Sequence, residues 1–244
     1  DDRLNIKLPI WNAGMGMGMA GAALSSVVSN AGGLGVLGLG GMQPTAMRPV
    51  IAEMRVLTSR AFGVNIILPM MQDGQIDTCF DEQIPLMVLF WGDPSPFVND
   101  AHRRDVMVVS QCGDVEEAVR AAEAGVDGVI VQGTEAGGHV KATRPLQEVL
   151  SETVKELGSV PVIAAGGIAN GADIAAALKL GASAVSMGTR FVATDEALAL
   201  DSYKSMVTNT ESDQTVLTEL FDQGWPNAAH RVIRNKAYDE WEAA

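Results

Sequence analysis

The run Ala136-Gly137-Gly138-His139 follows closely on an apolar stretch, Gly128-Val129-Ile130-Val131-Gln132. Glycine lacks a Cβ and lets backbone approach a ligand closely. Histidine is the side chain whose ordinary pKa lies nearest neutral pH. A strand end carrying glycines and then a titratable ring suits an active site built on a loop after a strand. Taken alone, a glycine-rich turn with a surface histidine explains the segment equally well. Two further glycine sites end apolar stretches, Ala164-Ala165-Gly166-Gly167-Ile168-Ala169 and Met187-Gly188-Thr189-Arg190. The backbone N–H groups of Gly166, Gly167, Gly188 and Thr189, with the Thr189 hydroxyl, could converge on one phosphate. One Gly-Gly pair is only a tight turn; two such sites after the last two strands of a barrel favour phosphate binding.

Other residues are weaker candidates. Asn12-Ala13-Gly14-Met15-Gly16-Met17-Gly18-Met19 is not a dinucleotide fingerprint, because no acidic residue follows in a strand–helix–strand context. It reads as an apolar loop able to lie against a flat ring, with methionines as soft packing, or as a plain strand-to-helix loop. Asn65, Gln111 and Gln132 are amides at strand ends, offering donors and acceptors to the edge of a heteroaromatic ring. Any one of them alone is more commonly a satisfied structural amide. His102 reads as a solvated helix end. His230, near the C-terminus, is less persuasive than His139, although it could reach the same mouth. Glu135 reads as a helix cap or loop residue. No serine sits in a nucleophile elbow, and no histidine pair has metal spacing. Cys79 and Cys112 read as free thiols in a reducing cytosol rather than a disulfide or zinc site.

These residues need strands to hold them. Apolar runs at 9–13, 34–39, 62–67, 86–90, 106–110, 128–131, 162–164 and 184–187 read as strands. Most are continuous rather than alternating, as expected for strands buried on both faces. Helices are expected at 20–30, 45–57, 115–124, 146–157 and 172–180, most followed by a glycine stop. The pattern predicts an α/β fold, a (β/α)₈ barrel. Residues 69–82 contain Pro69 and Gly74 and no clean helical period, which predicts a shortened or irregular connection. Residues 194–244 are too long for one helix and are expected over the barrel mouth or flank. No linker or low-complexity tract divides the chain, so residues 1–244 read as a single domain.

The 30 acidic and 17 basic residues leave a net charge of -13. That argues against nucleic acid and against an anionic membrane surface as partners. No apolar run reaches the roughly 18 residues of a membrane span, and Asp1-Asp2-Arg3 is unlike a signal peptide. A cytoplasmic protein is expected. Its oligomeric state is open, a homodimer included.

The chain resembles the FMN-dependent nitronate monooxygenases (2-nitropropane dioxygenases), relatives of the flavin-dependent enoyl-acyl-carrier-protein reductases and certain NADH:quinone reductases. The resemblance rests on Ser29-Asn30-Ala31-Gly32-Gly33-Leu34-Gly35, Phe62-Gly63-Val64-Asn65, the stretch from Gln132 to His139, Ala164-Ala165-Gly166-Gly167-Ile168-Ala169 and Met187-Gly188-Thr189-Arg190-Phe191. It covers nearly the whole chain and is more specific for the superfamily than for one activity. It implies FMN at the carboxyl end of the barrel. Gly166, Gly167, Gly188 and Thr189 would hold its phosphate, with Gly137, Gly138, Ala165 and Met187 beside them. Met15, Asn65, Gln111 and Gln132 would line the ring and ribityl chain. His139 would be the catalytic base toward a nitroalkane, and alkyl nitronates would be oxidised with O2 to carbonyl compounds and nitrite. The alternative is an NAD(P)H-dependent reductase acting on a quinone or enoyl thioester. A third reading, a barrel that binds flavin or phosphate without catalysis, is disfavoured by His139. Two departures stand out, the first bearing on substrate choice and the second on how the backbone supports the flavin. The chain is shorter than the family around 69–82, and its first loop has Asn-Ala-Gly-Met where many relatives have Gln-Ala-Pro-Met.

Overall fold

The apolar runs form strands β1 (Ile10–Asn12), β2 (Gly35–Gly38), β3 (Phe62–Ile67), β4 (Leu86–Phe90), β5 (Met107–Cys112) and β6 (Gly128–Gln132). After a two-residue strand β7 (Gly138–His139) come β8 (Val162–Ala165) and β9 (Ala184–Met187). The computed structural model describes residues 3–221, 225 and 227–244. Eight of these strands make one sheet in the order β1-β9-β8-β6-β5-β4-β3-β2, and every pairing is parallel. A parallel bridge between Trp11 and Leu34 brings the two ends together into a barrel. Here the Asn12 side chain acts as an extra peptide group. Its Nδ2 donates to Val36 O at 2.8 Å and its Oδ1 accepts from Val36 N at 3.0 Å, and the residue is fully buried.

Both faces of the sheet are apolar, which explains the continuous runs. Val36, Val88, Val109, Ile130 and Ile163 pack in one cluster with Trp11 and Leu34. Alternate residues of the same strands, such as Leu37, Leu89 and Val108, pack in another with helix residues Met47, Ile51 and Met54. The helices between strands are α1 (Ala22–Asn30), α2 (Pro44–Leu57), α3 (Gln75–Asp81), α4 (Ser95–Arg103), α5 (Val115–Glu123), α6 (Leu146–Leu157) and α7 (Gly171–Lys179). Local signals fix several ends. Asp114 caps α5 by accepting from Glu117 N at 2.7 Å, and Asn170 with Asp173 forms a capping box on α7.

The connection between β3 and β4 is irregular, as the sequence predicts. It holds a 3₁₀ turn, Leu68–Met70, and the seven-residue α3. Past β9 come α8 (Thr189–Val192), α9 (Asp201–Asn209), β10 (Thr215–Thr218), β11 (His230–Ile233) and α10 (Lys236–Glu242). Strands β10, β11 and β7 form a second, antiparallel sheet. The C-terminal segment therefore reaches the loop after β6, with His230 in register with His139 and Arg231 with Gly138. Sequence periodicity missed this sheet, because β7 is two residues long and its partner lies about ninety residues away.

Candidate active site

The glycine sites after β8 and β9 stand side by side, since Ala165 is in register with Ser186. Gly166 and Gly167 both adopt left-handed φ values, +109° and +68°, a region that costs other residues strain. The N–H groups of Gly166, Gly167, Gly188 and Thr189 donate to no backbone or side-chain acceptor among the described residues. The Thr189 hydroxyl likewise makes no hydrogen bond there. Gly167 and Thr189 are exposed and Gly166 and Gly188 half-buried, so these four N–H groups stand open at two adjoining strand ends, a cradle where an anion could accept from them. The loop after β6 closes on this cradle. Gly133 N donates to Ala165 O at 2.9 Å. A Cβ on Gly137 would stand 2.5 Å from Thr189 Oγ1, and one on Gly167 would stand 2.9 Å from Glu135 Cβ. Glu135 is a loop residue that holds the start of α6 from a distance: its Oε2 accepts from Leu146 N at 2.9 Å. Gly188 differs from its partners. Its φ is -105°, and a Cβ there would meet Ala13 Cβ and Met15 Sδ at an ordinary 3.6 Å.

The remaining sequence candidates surround the mouth. Met187 is buried, and its carbonyl accepts from Ala13 N at 2.8 Å, fixing the first loop. Met15 is partly buried against Ala20 and Leu24. Asn65 is buried, and its Nδ2 donates to Val88 O at 3.3 Å. Gln111, near the end of β5, is half-buried, and its amide has no hydrogen-bond partner among the described residues. Gln132 has another task. It is only 4% exposed; its Nε2 donates to His139 O at 2.9 Å and its Oε1 accepts from Lys141 N at 2.9 Å. Both ends of this amide hold the strand that carries His139.

His139 stands in an aromatic cluster that sequence reasoning did not foresee. Its ring stacks on Trp225 with centroids 4.1 Å apart and planes 28° apart. It lies 4.8 Å from the His230 ring and 6.4 Å, edge-on, from Trp91. Trp91 follows β4 and has φ +65°, an uncommon backbone for a bulky residue and one that clusters at functional sites. No sequence pattern marks Trp91 or Trp225. His230 did carry a signal, being one of three histidines, but its strand pairing was not legible. His102 lies far from this group in the fold; it ends α4 and bonds Asp127 at 2.9 Å.

The cluster carries cationic groups. Lys141 Nζ lies 5.8 Å from the Trp91 ring centroid and pairs with Glu117. Arg231 donates to Thr134 O at 2.8 Å and to Thr215 Oγ1 at 3.2 Å. It has no carboxylate partner among the described residues, and its Nε is buried without an acceptor. In a chain with net charge -13, this is a local positive spot. The thiols are poor nucleophiles, because burial pushes both Cys79 and Cys112 up to about 12. No cluster of three or more His, Cys, Asp or Glu suited to a metal occurs among the described residues. No helix among them is long and apolar enough to cross a membrane.

The fold is a (β/α)₈ barrel with open N–H donors and a histidine at the carboxyl ends of its strands, the end at which barrels of this class carry their sites. A model of the nitronate monooxygenase family matches residues 1–86 and 70–244. The chain belongs to the nitronate monooxygenase family and is an oxidoreductase. The two matched stretches overlap over 70–86, mostly within the β3–β4 connection. A probable nitronate monooxygenase of Staphylococcus aureus (strain Newman) is 30% identical over 282 aligned positions, covering 97% of this chain and 78% of the relative. That alignment is longer than the 244 residues here, so the relative has segments with no counterpart in this chain. FabK from Thermotoga maritima superposes with a TM-score of 0.90 at 34% identity, over 99% of this chain and 76% of that one. A nitroalkane oxidase from Streptomyces ansochromogenes gives 0.89 at 30% identity, over 97% and 79%.

Proposed function

We propose that this chain binds FMN and oxidises alkyl nitronates with O2 to carbonyl compounds and nitrite. The observation that carries the cofactor reading is the set of unpaired N–H donors at Gly166, Gly167, Gly188 and Thr189. One compact cradle suits the single terminal phosphate of a mononucleotide, and the free amide of Gln111 and the side chains of Met15 and Asn65 remain to meet its ring. When bound, the flavin supplies the redox step with O2. The protein supplies orientation and charge. His139 acts on the substrate. As the neutral ring it takes the α-proton of a nitroalkane; protonated, it steadies the nitronate anion. The Gln132 amide holds the histidine's strand, and Arg231 adds positive potential for an anionic substrate. Trp91 and Trp225 wall the site with apolar surface, which strengthens these electrostatic effects by excluding water.

The similarity to FabK, at 34% against 30% identity for the nitroalkane oxidase, supports a second reading. In it the same residues would hold a flavin that would supply NAD(P)H-dependent reduction of a quinone or an enoyl thioester. A cytoplasmic location fits either activity. Mass analysis of the ligand released from the purified protein tests the cofactor. About one FMN per chain is expected; FAD, or no flavin after reconstitution, refutes it. Nitrite release from propyl-2-nitronate, compared with oxidation of NADH and NADPH, separates the two activities.

A further inference from the structure

Trp225 is 5% exposed although it belongs to a C-terminal segment outside the barrel. It is seated among Phe90 and Ala228, with Ile67, Met70 and Trp91 packed against the same cluster. Its ring meets Trp91 at 4.8 Å and 67°, meets Phe90 at 6.2 Å and 78°, and lies nearly parallel to His139 at 4.1 Å. The indole thus fills the space between the reacting histidine and an apolar wall at the end of β4. Removing it leaves an apolar void that opens beside His139. Apolar voids of about 150 Å³ stay dry and take up benzene-sized guests.

We propose that Trp225 is a specificity-determining residue: it plugs an apolar pocket beside His139 and restricts the enzyme to substrates with small alkyl groups. The proposal rests on the reading of His139 as the group that acts on nitronates. A substrate carbon held at His139 meets the indole on that side, so an aryl or long alkyl substituent has no room there. With the indole gone, the pocket lined by Phe90, Trp91, Ile67 and Met70 receives such a substituent. Discrimination by one methylene in a hydrophobic pocket is worth 10–200-fold, so a phenyl group should exceed the lower bound.

The experiment compares wild type, Trp225→Ala and Trp225→Phe as flavin-loaded full chains, with Trp225→Leu in place of alanine if that variant does not fold. The first readout is kcat/KM for phenylmethyl nitronate divided by that for propyl-2-nitronate. The ratio should rise at least about tenfold in Trp225→Ala and less in Trp225→Phe. The second readout needs no turnover. Carbethoxylation of His139 by diethyl pyrocarbonate, followed by mass spectrometry, should be faster in Trp225→Ala, with exposed His102 unchanged as control. Added indole should refill the void, raise Tm and slow that labelling. An unchanged substrate ratio overturns the specificity claim. Unchanged His139 labelling, or no effect of indole, overturns the plug. A wild type without nitronate turnover refutes the proposed function, while labelling and indole rescue still decide the plug.

Discussion

Gln132→Leu separates two tasks for one amide. Lining a flavin and holding the strand of His139 would both make Gln132 matter, but in different ways. Both ends of the amide bond backbone at 2.9 Å, to His139 O and Lys141 N. Leucine keeps the bulk and leaves both groups without a partner. An unmet buried polar group costs about 1–3 kcal/mol. His139 and Lys141 are half-buried, so water restores part of the loss and the low end applies, about 2 kcal/mol in all. At about 2–4 °C per kcal/mol for a chain of this size, Tm should drop by about 4–8 °C. A misplacement of about 1 Å can cost about 10²-fold in rate, so kcat with propyl-2-nitronate should fall by that order while FMN affinity holds. Gln132→Glu refines the test. Its carboxylate still accepts from Lys141 N but sets a buried charge against the His139 carbonyl, so it should lose at least as much stability as leucine and also lose turnover. Thermal unfolding, flavin titration by fluorescence quenching and initial rates supply the three numbers. FMN affinity falling in step with kcat would refute the clip and return Gln132 to the flavin. An unchanged Tm and kcat would refute both roles.

Two of the three cradle glycines, Gly167 and Gly188, should respond differently to alanine. Gly167→Ala strains a φ of +68° and pushes on Glu135, so it should destabilise the apoprotein by about 1–3 kcal/mol. Gly188→Ala, with ordinary contacts, should leave apoprotein Tm nearly unchanged; equal Tm losses in differential scanning fluorimetry would contradict this. His139→Asn should keep FMN and lose about 10²–10⁴-fold in kcat/KM with neutral nitroalkane, and less with preformed nitronate, which needs no deprotonation. Equal losses on both forms would make His139 an anion-binding group instead. Burial raises Cys79 and Cys112 to about 12, above the ordinary thiol value near 8.5. The folded state therefore resists losing these protons. Their contribution is full below about pH 8.5 and declines as pH rises toward 12. The urea midpoint of a Cys79→Ala, Cys112→Ala double variant should fall less steeply over that window than that of wild type.

The barrel was legible because its strands bury both faces. Phe62–Ile67, Leu86–Phe90 and Ala184–Met187 have the bounds read from the sequence, and the other five barrel strands agree within two residues. The irregular β3–β4 connection was readable from Pro69 and Gly74. Helix α4 was recognised only by its end at His102, since Pro94 and Pro96 obscure its start. The glycine sites were legible as positions, because glycine marks close approach and left-handed turns. Their contrast was not, because only the backbone shows that Gly167 needs a positive φ and Gly188 does not. Pairings without a local pattern were hidden. Gln132 reads as one more strand-end amide until its loop folds back, and Trp225 gives no sign that it stacks on a ring 86 positions earlier.

Anaerobic absorbance spectroscopy of the flavin-loaded protein tests the central claim most directly. Propyl-2-nitronate, NADH and NADPH are added separately, and the visible absorption band of the oxidised flavin is followed before and after air is admitted. The account predicts that the nitronate alone bleaches the band and that air restores it with release of nitrite. Bleaching by NADH or NADPH with no response to nitronate would contradict it and leave the reductase reading in its place.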